Sequence, residues 1–481
     1  MEIEQEELTI TEVQDMMASG KLTSRELVLM YFERIAAYNR QGPTINAILE
    51  INPDALHMAE ALDREREQKG SRGPLHGVPI LLKDNIDTED KLHTSAGSLA
   101  LADSYAAKDS FVAKKVRESG GIILGKTNLT EWANFMSAGM PNGYSSRGGQ
   151  VLNPYGPGEF DVGGSSSGSG AAVAANFTML AIGTETSGSI LSPASENSIV
   201  GIKPTVGLIS RSGIIPISHS QDTAGPMART VRDAATLLGA LAGKDESDPA
   251  TLTATGKMPD DYTEFLNENG LQGRRIGVVR KRFLDELEPP QRELMETAIE
   301  KMKDKGAIIV DPVNIPTADE EWDINVLIHE FKVGLHAYLK NLKPGFPRSL
   351  KEVIEFNLDH SESALKYGQT MLLKSEATSG TLTDTDYLRS RVRDIKLSQE
   401  KGIDAVMEKH TLDALLFPAN YGANIPARAG YPSITVPGGY TKEAGQPLGI
   451  TFTGKAYSEP MLIQLAYAFE QSTCHRTPPK L

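Results

Sequence analysis

Apolar positions near the start of the chain recur with helical spacing. Val28, Tyr31, Phe32 and Ile35 follow at i, i+3, i+4 and i+7, behind the capping-box pattern Thr23, Ser24, Arg25, Glu26. A second helix is predicted over 53–67. From Gly77 the texture changes. Val78, Pro79, Ile80, Leu81 and Leu82 form a short apolar run of the kind that fills a buried strand. Phe111, Val112, Lys115 and Val116 restore the helical pattern, which stops at Gly120 and Gly121. Ile122, Ile123 and Leu124 then give a second strand. Alternating helices and apolar strands predict an α/β layered fold. Further on, 276–279 and 308–310 read as strands flanking a helix. Residues 320–408 are mostly helical in pattern. Strands return at 415–417, 434–436 and 448–452, and a last helix covers roughly 459–471.

Two stretches break this rhythm. Residues 141–164 hold seven glycines and three prolines in 24 positions, which predicts irregular loop, and a loop that long is often functional. It runs into a serine–glycine tract over 163–170, followed by a helix of small side chains over 171–176. Residues 244–275 are polar and acidic. They are either a domain boundary or a long surface excursion within one domain.

Composition narrows the function classes. The 481 residues are 40% hydrophobic and 23% charged, as in globular chains of this size, which can bury a large core. The formal net charge of −14 disfavours phosphate backbones and anionic membrane surfaces, so nucleic acid is not an expected partner. Cys474 is the single cysteine, which excludes an intramolecular disulfide and a thiolate zinc site. The acidic start lacks a signal-peptide pattern, and no apolar run reaches 18 residues. The expectation is a soluble, cytoplasmic protein with no membrane contact. Oligomeric state is left open, with a monomer as the default.

Three motifs mislead. GGIILGKT at 120–127 fits the phosphate-loop pattern, but Ile122, Ile123 and Leu124 suit a strand better than an anion cradle. GSSSG at 164–168 fits the nucleophile elbow, yet loop rather than strand precedes it. His329 and His336 lie seven apart on a predicted helix, without the further ligands a metal needs.

What remains is Lys83, closing the apolar run, and two serine–glycine tracts. The second is Gly183, Thr184, Glu185, Thr186, Ser187, Gly188, Ser189 and Ile190. A serine hydroxyl is a weak nucleophile and needs a base. A lysine buried at a strand end can be that base, because desolvation disfavours its ammonium form. Turn amides beside a glycine can face a developing oxyanion. Taken singly, each piece also reads as a strand-end lysine or a flexible turn.

Together these segments resemble the amidase signature family. The resemblance is carried by GVPILLKDN (77–85), GKTNLTEW (125–132), GGSSSGS (163–169), GTETSGSI (183–190), GIKPTVGLISR (201–211), DTAGPMAR (222–229) and YPSITVP (431–437). It covers about residues 10–475. Within the family, TSAGSLAL, PISHSQDTAGPMAR and AGYPS look most like bacterial peptide amidases. The resemblance implies one α/β/α domain over 1–481, with a central mixed, mostly parallel sheet covered by helices. It comprises a helical segment (about 10–70), a motif core (about 71–243) and a C-terminal half (about 275–475) that completes the sheet.

It also implies a Ser-cisSer-Lys triad of Lys83, bridging Ser165 and nucleophile Ser189, with Ser166 second for the bridging role. The implied oxyanion hole is the amides of Thr186, Ser187, Gly188 and Ser189. No cofactor or metal is implied. The expected substrate is a small-molecule or peptide amide, with C-terminal peptide amides favoured. An aryl-acylamidase and the glutaminase component of a tRNA-dependent amidotransferase are the alternatives. Two positions depart from the pattern. Ser187 stands where many members have glycine, and Leu191 where many have arginine, which argues against a small carboxylate substrate held there.

Overall fold

A computed structural model describes residues 7–481. Its strands are β1 (Ile48–Ile51), β2 (Pro79–Lys83), β3 (Ile122–Thr127), β4 (Tyr144–Ser145), β5 (Gly149–Gln150), β6 (Leu180–Glu185) and β7 (Val200–Lys203). Then follow β8 (Thr223–Ala228), β9 (Arg275–Val279), β10 (Ile308–Val313), β11 (Ala414–Pro418), β12 (Ser433–Tyr440) and β13 (Pro447–Thr453). Eleven form one sheet in the order β1-β3-β2-β6-β8-β7-β12-β13-β11-β9-β10, while β4 and β5 make a separate hairpin. That hairpin lies inside the segment expected to be wholly irregular.

The mixed sheet under helices is the architecture expected. Parallel pairing occupies two blocks, β3-β2-β6 and β11-β9-β10. The other six neighbouring pairs are antiparallel, so parallel pairing is concentrated in these blocks rather than predominant across the sheet. Each block contains a helical crossover: Phe111–Glu118 between β2 and β3, and Pro289–Asp304 between β9 and β10.

The sequence patterns explain the elements. Thr23 caps the Ser24–Tyr38 helix by accepting from the Glu26 amide (3.1 Å), while Glu26 accepts from the Thr23 amide (2.8 Å). Val28, Tyr31 and Ile35 are buried, and Phe32 packs half-buried against the same core. Every residue of β2, β3 and β6 is buried, as strands covered on both faces require. Residues 122–127 of the phosphate-loop look-alike are therefore strand. An added Cβ at Gly125 would overlap the Glu50 carbonyl oxygen of β1, where the β1–β3 register shifts.

The helix expected at 171–176 starts earlier, at Ser167, inside the serine–glycine tract. Residues 244–275 contain two 3₁₀ turns, Pro249–Ala254 and Tyr262–Phe265, with Tyr262 buried. The 320–408 region is helical and carries a second core. There Phe331, Leu335, Leu350 and Leu372 cluster with Trp132 and Phe135 from the motif region, forming a cap beside it. Among the described residues no helix is long and apolar enough to cross a membrane.

Gly125→Ala tests the strand assignment. It should destabilise the protein by about 1–3 kcal/mol, the usual cost of overpacking a close contact. An unchanged urea-unfolding midpoint would show that β1 does not lie where it is placed.

Candidate active site

Parallel pairing puts the C-terminal ends of β2 and β6 side by side, with Ile80, Leu81 and Leu82 opposite Leu180, Ala181 and Ile182. Functional groups of α/β sheets collect at this edge. Lys83 ends β2 because the chain turns there: the Ile86 amide donates to its carbonyl at 3.0 Å. Thr184 and Glu185 end β6 and open the second serine–glycine turn.

Lys83 is fully buried. Its Nζ lies 2.9 Å from Ser165 Oγ, 3.0 Å from Ser166 Oγ, 2.9 Å from Thr184 Oγ1 and 3.2 Å from the Thr184 carbonyl. None of these partners is a carboxylate. Burial therefore dominates and lowers the amine to about pKa 7, against the weaker pull of the Glu185 and Asp222 charges.

The two serines beside Lys83 differ. Ser166 Oγ donates to the Thr184 carbonyl (3.0 Å) and accepts from the Thr184 amide (3.2 Å), so β6 already occupies it. Ser165 Oγ has the lysine as its one hydrogen-bond partner among the described residues. The Gly164–Ser165 peptide bond is cis. The Ser166 amide donates to the Ser189 carbonyl (3.1 Å), joining the first tract to the second. Ser189 is nearly buried, and Ser187 is exposed at the mouth of the turn.

The Glu185 carboxylate organises that turn. It accepts from the amides of Gly188 (2.7 Å), Ile190 (2.7 Å) and Leu191 (3.0 Å). The Gly188 amide, expected to face an oxyanion, is thus engaged by Glu185. The Ser187 and Ser189 amides donate to no protein acceptor among the described residues. Burial raises the Glu185 carboxyl, while Lys203 and the three amides act to lower it. Leu191 is completely buried, which closes to solvent the position where many family members have arginine.

Thr186 Oγ1 donates to Asp222, which also accepts from the Ile217 (2.8 Å) and Ser218 (2.9 Å) amides. Asn85 Nδ2 donates to Thr184 Oγ1 (3.0 Å). Thr184, Thr186, Asn85 and Asp222 line a cavity of about 710 Å³ that extends past Ile215 to Tyr338 of the cap. Sequence reasoning missed Thr184, Glu185, Asn85 and Asp222. A signal for Glu185 existed, because a carboxylate at the end of a buried strand needs partners.

The misleading motifs fall elsewhere. Lys126 of the phosphate-loop look-alike is buried in β3, donating to the Ile86 carbonyl (2.6 Å) and Thr94 Oγ1 (2.8 Å). His329 is buried near Asp384 and Asp386, and His336 is exposed. Among the described residues no cluster of three or more histidine, cysteine, aspartate or glutamate side chains could hold a metal ion.

Comparisons with known proteins fit this arrangement. Residues 26–427 match the family model Amidase. A probable amidase of Arabidopsis thaliana is 44% identical over 99% of this chain and 92% of its own length. A glutamyl-tRNA(Gln) amidotransferase subunit of Alkalilimnicola ehrlichii is 32% identical over 98% of this chain and 99% of its own. The crystal structure of native peptide amidase from Stenotrophomonas maltophilia superposes with a TM-score of 0.93, at 46% identity and covering 99% of both chains. The matched motifs, the eleven-stranded sheet and these full-length relatives place the chain in the amidase signature family, as an amide hydrolase.

Proposed function

We propose that the protein hydrolyses carboxamides through a serine acyl-enzyme, with the C-terminal amides of peptides as its substrates. The observation that carries this reading is the buried Lys83 amine, surrounded by hydroxyls and lowered to about pKa 7. Neutral Lys83 takes a proton from Ser165, and Ser165 takes one from Ser189. The Ser189 oxygen attacks the amide carbon. Amides of the 186–189 turn receive the oxyanion, with Thr186, Ser187 and Ser189 left for this task once Gly188 is engaged. The proton returns through Ser165 to the departing nitrogen, the C–N bond breaks and ammonia leaves. Water then attacks the ester, giving a carboxylate and free Ser189. Ser165 suits the bridging role better than Ser166, whose hydroxyl is tied to β6 on both sides.

Two observations favour peptide amides. The likeness to a peptide amidase runs over the whole chain at 46% identity. The buried Leu191 leaves no cation at that position for a small carboxylate substrate. An aryl-acylamidase would differ only in its leaving group, and the glutaminase component of an amidotransferase would need partner subunits.

The purified chain alone should release ammonia from a peptide amide. Activity confined to an anilide, or to glutamine with added subunits, would overturn the substrate. Ser189→Ala should lower kcat at least about 10³-fold. Turnover that survives the substitution would remove Ser189 as nucleophile.

The pH dependence follows from the lysine. Lys83 works as a base only when neutral, and its neutral fraction grows as pH rises through about 7. Below that point kcat/KM should fall about tenfold per pH unit, and above it should level off. A flat profile from about pH 5 to about pH 9 would contradict Lys83 as the base.

A further inference from the structure

The turn between β6 and the Leu191–Glu196 helix has two arms, and they are held differently. Glu185 holds the far arm through the Gly188, Ile190 and Leu191 amides. The near arm, Thr186 and Ser187, receives nothing from Glu185. Its side-chain anchor is the Thr186 hydroxyl, which donates to Asp222 Oδ1. Asp222 directly precedes β8, whose Thr223 pairs with Glu185 of β6, so the acceptor stands on the same rigid sheet. Its second oxygen takes the Ile217 and Ser218 amides, which leaves the carboxylate one orientation.

The loop carrying those amides is clamped from the cap. Glu330, fully buried on the Asn325–Leu339 helix, accepts from Ser218 Oγ (2.5 Å) and the Ser220 amide (3.0 Å) on one oxygen. Its other oxygen accepts from the Ser220 hydroxyl and Tyr387 Oη (3.0 Å). A continuous set of hydrogen bonds thus runs from the cap, through the 217–222 loop, to the first residue of the turn.

We propose that Asp222 is a positioning residue for amide hydrolysis: through the Thr186 hydroxyl it sets where the Thr186 and Ser187 amides point, and Glu330 ties that setting to the helical cap. The proposal rests on the reading of this turn as the oxyanion site. An oxyanion hole works because its donors are already aimed at the charge that develops in the transition state. A small rotation of the near arm leaves ground-state binding almost unchanged and weakens the donors when the charge appears. The loss therefore falls on kcat and not on KM.

The test uses the full chain and a peptide amide. Thr186→Val removes only the hydroxyl and keeps the shape, so it should fold and yet lower kcat about 10- to 100-fold, with KM within about twofold. Thr186→Ser, which keeps the hydroxyl, should restore most of the rate. Asp222→Asn should match the valine variant or exceed it, and the double variant should be no slower than Asp222→Asn alone, because both act through one hydrogen bond. Glu330→Gln should act in the same direction and less strongly. Melting curves recorded in parallel separate a misfolded variant from a misaimed turn. A wild-type kcat for a folded Thr186→Val, a rise in KM alone, or multiplicative losses in the double variant would overturn the proposal. Ser189→Ala is the separate control: if it stays active, the catalytic reading itself fails, whatever Thr186→Val does.

Discussion

The proposed chemistry depends on keeping the Lys83 amine uncharged inside the protein. Moving Lys83 from an ordinary lysine value to about 7 corresponds to about 5 kcal/mol against its charged form. That penalty comes from burial where strands β2 and β6 meet, both without an exposed residue. Two other lysines are buried as deeply, which makes burial necessary but not sufficient. Lys203 donates to the Pro204 (3.0 Å) and Tyr431 (2.7 Å) carbonyls. Lys126 donates to one carbonyl and one hydroxyl. A carbonyl accepts a hydrogen bond but has no proton to give. Lys83 alone of the three faces three hydroxyls, from Ser165, Ser166 and Thr184, so a neutral nitrogen there can both receive a proton and return it.

Much of the frame is legible along the chain, for local reasons. The Thr23 capping box and the spacing of Val28, Tyr31 and Ile35 depend on neighbours within one or two turns, and they appear where expected. Branched apolar residues at 122–124 argue against the phosphate-loop reading, and that segment is strand. The helix at Ser167 begins ahead of its expected start because serine and glycine are weak helix formers, so their letters do not announce it. Tertiary contact overrides that preference: an added Cβ at Gly168 would collide with the Asn128 and Ala47 carbonyls, so only glycine lets this helix lie against them. The site is legible to the extent that resemblance supplies positions. Which amide is free is a different kind of fact. Gly188 holds its expected place in the turn, yet its N–H is spent on Glu185, and no pattern of letters shows that. Asp222 and Glu330 escape a reading of the sequence because their partners lie 36 and 112 residues away.

The carboxylates that shape the turn also work against an uncharged Lys83. Glu185 and Asp222 each favour a charged Lys83, and both are needed where they stand because a turn with unpaired amides would not hold one shape. Their hydrogen bonds soften the conflict. Glu185 takes three amides and faces Lys203, and Asp222 takes two amides and a hydroxyl, so much of each negative charge is already met by local donors. What reaches Lys83 is the remainder, and burial outweighs it. In the proposed mechanism the same arrangement protects the oxyanion. A carboxylate beside a developing negative charge would repel it, but one whose oxygens point into the Gly188, Ile190 and Leu191 amides draws those donors inward, and the Ser187 and Ser189 amides are left without a protein acceptor among the described residues. One acidic residue at the end of a buried strand thus fixes the far arm of the turn, leaves the Ser187 and Ser189 amides unused, and perturbs the neighbouring amine only as far as desolvation can offset.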